Sequence, residues 1–107
     1  MSAPERDIAR AAGKRLDAAA DVELALLPRD DPAQYADPIA IGGLIVSAAG
    51  LAWTIAVDLR SRRPRPPAVE IHRTIVIRLQ ESVAGDDPTP VIEAVAEETI
   101  RRAELED

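Results

Sequence analysis

A chain of 107 residues with formal charge −6 holds one small domain, or one membrane span with short flanking parts, and leaves no room for two full cores. It has one Trp, one Tyr and no Phe, so any core is filled by Ile, Leu, Val and Ala. The absence of Cys excludes a disulfide framework and a thiolate metal site, and the net acidity argues against a protein that grips nucleic acid along its surface.

Residues Glu5 to about Ala20 predict a helix, because Ala is frequent and Ile8, Ala12 and Leu16 recur on one face. The charges Glu5, Arg6, Asp7, Arg10, Lys14 and Arg15 interrupt this stretch before the apolar core of a secretory signal could form. Val22, Leu24 and Leu26 then alternate, which predicts a short strand over Asp21–Leu27, although the same residue types allow the first helix to run on to Pro28. Pro28, Pro32 and Pro38 with Asp30 and Asp31 make a linker, and Asp37 is placed to cap a helix with Pro38 in its first turn.

Ile39 to Val57 is nineteen residues without a charge. At about 1.5 Å per residue it nearly matches the roughly 30 Å hydrocarbon layer of a bilayer. Arg60, Arg62, Arg63 and Arg65 follow at once, and a surplus of Arg on the C-terminal flank orients a single crossing with the C-terminus inside. The same arginines suit anionic lipid headgroups or a protein partner. Small residues fall at helical spacing, Gly43, Ser47, Gly50 and Thr54 along one face and Ala48, Ala52 and Ala56 along another, which admits a second helix at close range.

Beyond the stiff connector Ser61–Pro67, the run Val69 to Leu79 predicts a strand whose apolar face, Ile71, Ile75 and Ile77 included, offers an edge for pairing. Gly85–Pro88 reads as a turn, and Thr89 with Pro90 opens a last helix. On that helix Glu97 stands four residues before Arg101 and Glu98 four before Arg102, and Ile92, Val95, Ala96, Ile100 and Ala103 supply its buried side.

The expected fold is therefore α+β: a central apolar helix flanked by short strands and terminal amphipathic helices. Residues 1–37 hold the first helix, strand and linker, residues 38–60 the apolar helix, and residues 61–107 the connector, second strand and last helix. Two placements satisfy the central helix: a single span of a bacterial inner membrane, favoured by length and arginines, or a buried crossover in a cytoplasmic domain.

The chemistry-bearing residues are few. His72 is the sole histidine and has no sequence-evident partner, Ser2, Ser47, Ser61 and Ser82 sit in no nucleophile-elbow context, and Gly42-Gly43 is followed by no phosphate-loop Lys. No catalytic, cofactor or metal site is expected. The run Val22–Leu26, the Gly/Ala-rich apolar helix ending in Leu59–Pro64, and the segments Val69–Ile71 and Ile75–Ile77 resemble the bacterial effector-associated constant component family over about residues 21–80. The resemblance implies a noncatalytic helper that self-associates or docks an effector protein.

Overall fold

The computed structural model describes residues 3–26, 41–82 and 88–105. They form five helices: α1 (Ala3–Arg15), α2 (Ala19–Leu26), α3 (Ile41–Ser61), α4 (Ala68–Ser82) and α5 (Thr89–Leu105). No strand occurs among the described residues, so the α+β expectation is wrong and the fold is all-α. The expected Pro/Asp linker, the Asp37 cap and the Gly85 turn lie outside the described residues.

Helix α3 is the axis of the bundle and touches each of the other four helices. Its inner face is Ile45, Ala48, Ala49, Ala52, Ala56 and Leu59, all buried. Alanine at these positions lets neighbouring helices approach to the short end of the usual 8–10 Å spacing. The buried remainder comes chiefly from Ile8, Val22, Ile75, Leu79, Ile92 and Val95, while Trp53 packs half-buried against its edge. The helix also continues past Val57 to Ser61, because Leu59 prolongs the apolar stripe while Asp58 and Arg62 pair four residues apart on the wet side, at 2.9 Å.

The first helix stops earlier than its composition suggests. Asp17 adopts φ 55°, Ala18 N–H donates to Gly13 O at 2.7 Å, and Asp17 N–H donates to Lys14 O at 3.3 Å. These two bonds with a left-handed residue between them make a Schellman stop, which satisfies the last carbonyls of α1 and reverses the chain. The expected strand Asp21–Leu27 is helix α2, folded back on α1. Gly13 marks the close approach, since a Cβ there would lie 2.7 Å from Val22 Cγ2.

The second expected strand, Val69–Leu79, is α4. Its β-branched residues favour a strand locally, but α4 packs only on α3 and α5, and helices offer no open backbone edge to pair with. A helix satisfies its own N–H and C=O groups, whereas a lone strand would leave them without protein partners. Ile71, Ile75 and Leu79, each four apart, then face the core together, and Ile77 turns outward at 48% exposure. A strand interface of Ile71, Ile75 and Ile77 therefore does not exist, and neither does a strand–helix–strand crossover.

Candidate interaction surface

The side of α3 opposite its alanine face carries Gly43, Ser47, Gly50 and Thr54. Ser47 and Thr54 are exposed, Gly43 and Gly50 are half-buried, and a Cβ built on Gly43 would meet nothing within 4 Å. The Thr54 hydroxyl donates to Gly50 O at 2.9 Å. This bond satisfies the Thr54 donor within its own helix. Only 33% of the most apolar stretch of α3 is buried, and α3 is long and apolar enough to cross a membrane.

The helices around α3 are charged on their outer sides. Arg6, Asp7, Arg10, Lys14 and Arg15 on α1, and Glu93, Glu97, Arg101 and Glu104 on α5, are exposed. Several join the helices to one another. Arg10 pairs with Glu23 of α2 at 2.7 Å, Arg102 with Asp7 at 3.2 Å, and Arg15 with both Glu97 and Glu98. Glu97 and Glu98 thus reach across to α1, rather than only along their own helix as their spacing to Arg101 and Arg102 suggests. The hydrogen bond from Arg15, helped by its charge, holds the Glu97 carboxyl below the usual glutamate range.

The four arginines after Val57 divide into pairs. Arg62 is bound to Asp58, and Arg63 Nη1 donates to the carbonyls of Arg60 and Arg62, at 3.4 and 3.2 Å, so both close the C-terminal end of α3. Arg60 and Arg65 instead line a cleft with Pro66, Ile71, Ile100 and Glu104. Sequence reading singled out the arginines but passed over Glu104 and Pro66 as part of one concavity. Only the fold brings the end of α5 to the connector. His72 is half-buried on α4, and no group of three or more His, Asp or Glu residues converges as a metal site among the described residues.

The chain matches no protein-family model, no curated protein and no solved structure.

Proposed function

We propose that this chain is a noncatalytic helical binding module that self-associates through the outer face of α3. The carrying observation is the open face at Gly43, Ser47, Gly50 and Thr54 on the most apolar helix of the molecule. Small side chains let two such helices pack with their backbones close, which is the geometry of small-xxx-small contacts. The occupant is a second copy of the chain, since one face of this kind fits its own two-fold image.

Sedimentation equilibrium over a range of concentrations tests this. A reversible dimer is expected, and Gly43→Leu should return it to monomer without loss of helicity. A wild-type chain that stays monomeric throughout would overturn the proposal.

A second reading keeps α3 as a single membrane crossing with the C-terminus inside, favoured by its 21 residues and the four arginines that follow. That reading requires the bundle to open, because α1 and α5 lie along α3 and their charges would each cost about 3 kcal/mol in hydrocarbon. Carbonate extraction separates the two. Release into the soluble fraction excludes the crossing, and retention in the pellet excludes the closed bundle as the working form.

A further inference from the structure

Between Arg60 and Ser82, the end of α4, stand six of the 13 Lys and Arg residues and only two of the 19 Asp and Glu residues. A chain of charge −6 therefore holds one strongly basic region, made of the end of α3, the connector and α4. Five of the six arginines, Arg62, Arg63, Arg65, Arg73 and Arg78, are exposed. Internal pairing leaves the surplus in place. Arg62 is offset by Asp58, but Arg63 donates only to neutral carbonyls, and Arg73 has no side-chain partner among the described residues. The adjoining end of α5 brings one exposed arginine, Arg101, and one exposed glutamate, Glu104, and so does not change the sign.

The outer face of α4 sets apolar groups among these charges. Val69 is 66% exposed and Ile77 48%, and each stands four residues from Arg73, so the three form one row along the helix.

We propose that the connector and this row dock the closed bundle on the surface of an anionic lipid bilayer. The arginines meet the headgroup charges, while Val69 and Ile77 enter the boundary between headgroups and acyl chains. Arg73 lays its stem beside them and returns its guanidinium to headgroup level. Helix α3 stays in the core, which separates this docking from a membrane crossing, and the outer face of α3 takes no part in it.

Lipid fits the arrangement better than other anionic partners do. Cations scattered over a connector and a convex helix face need no fixed register from a fluid of mobile headgroups, whereas a protein partner must match their shape. Nucleic acid would also draw them, but no Trp, Tyr or Phe lies between Arg60 and Ser82 to stack on a base. The acidity of the remaining chain then favours a single docking side, because it turns the other surfaces away from an anionic plane.

The test is co-sedimentation of the full chain with sucrose-loaded vesicles of phosphatidylcholine alone, or of phosphatidylcholine with about 30% phosphatidylserine. Binding at least about tenfold tighter to the anionic vesicles is expected, with release as salt rises from about 0.1 M to about 0.5 M and the screening length falls by about half. Arg73→Gln should weaken this binding about fivefold, the scale of one Arg at an anionic leaflet. Ile77→Gln should weaken it about threefold or more through lost apolar contact. Lys14→Gln is the control: it removes the same charge at the end of α1, where Gly13 meets Val22, beside the opposite end of α3. It should change binding less than about twofold, because a charge held away from the bilayer lies beyond the screening length. Equal binding to both vesicles, or none, overturns the proposal, and equal losses for Lys14→Gln and Arg73→Gln overturn the location. Displacement from the vesicles by an equimolar single-stranded dT oligonucleotide would assign the face to nucleic acid, and retention through carbonate extraction would overturn docking of the closed bundle. The replaced residues are exposed, so unchanged circular dichroism verifies the fold of each variant.

Discussion

Gly42 of α3 lies directly beneath the backbone of Asp21 in α2: a Cβ on Gly42 would overlap the Asp21 carbonyl and come within 2.9 Å of Val22 N. The obstacle is main chain, which cannot turn aside as a flexible side chain would. The two helices therefore cross at this point only because residue 42 has no side chain.

Its neighbour gives the control. Gly42→Ala should force α2 away from α3 and lower the unfolding free energy by about 1–3 kcal/mol, the usual cost of overpacking. Gly43→Ala, facing open space within one copy, should raise it by about 0.5–1 kcal/mol through helix propensity at dilutions where the chain is monomeric. Urea unfolding of the two variants checks the opposite signs.

The helical register of α4 makes a second prediction. Ile75 is fully buried and Ile77 is 48% exposed. Ile75→Ala should cost about 2–5 kcal/mol, as for other buried large-to-small changes, and Ile77→Ala about 0.5 kcal/mol or less. In a strand with both residues on one face the two costs would be alike, so equal losses in thermal unfolding would refute the helix.

The stop of α1 makes a third. Asp17 holds φ 55°, a region that glycine enters without a Cβ penalty. Asp17→Gly should stabilise the chain by about 0.5 kcal/mol, and Asp17→Val should destabilise it by about 1–2 kcal/mol, because β-branched residues tolerate the left-handed region poorly. Chemical denaturation of both variants measures the difference.

Protonation of Glu97 makes a fourth. Its carboxyl is depressed by the Arg15 hydrogen bond, so the folded chain binds that proton more weakly than the unfolded chain does. The associated stability is present above the ordinary glutamate range and is lost as pH falls through the depressed value. In Arg15→Gln, the carboxyl resonance of Glu97 should titrate nearer its ordinary range, and the part of the acid-side fall in melting temperature due to this pair should disappear. A Glu97 titration unmoved by the substitution would show that Arg15 is not the cause.

The sequence alone made parts of this molecule legible. The uncharged run marked α3, and Thr89 and Pro90 marked the start of α5, because both signals are local, whereas the two small-residue faces of α3 looked alike in sequence and only the fold buries the alanine one. The strands failed for a physical reason that the residues themselves contained. From Val69 to Leu79 the alternating pattern must carry Arg73 on its apolar face and Val76 on its polar one, whereas the helical period puts Ile71, Ile75, Val76 and Leu79 together. Val22–Leu26 was too short for either period to prevail, and its helix shows the ambiguity by leaving Leu24 59% exposed. The cleft at the end of α3 was not legible in one dimension. Arg60, Pro66 and Glu104 meet only after α5 folds back on the end of α3.

The cross-links between α1 and α5 bear on the order in which the chain assembles. Arg15 and Glu98 are 83 residues apart in sequence, while the Schellman stop spans residues 13–18 and only residues 16–18 separate α1 from α2. Closing so long a loop costs more entropy than closing a short one, so the hairpin forms early and the α1–α5 seam belongs to the late, low-φ part of folding. Weakening the seam should then quicken unfolding while leaving the refolding rate nearly untouched. The salt bridges between α1 and α5 would then act less as builders of the fold than as a brake on its loss.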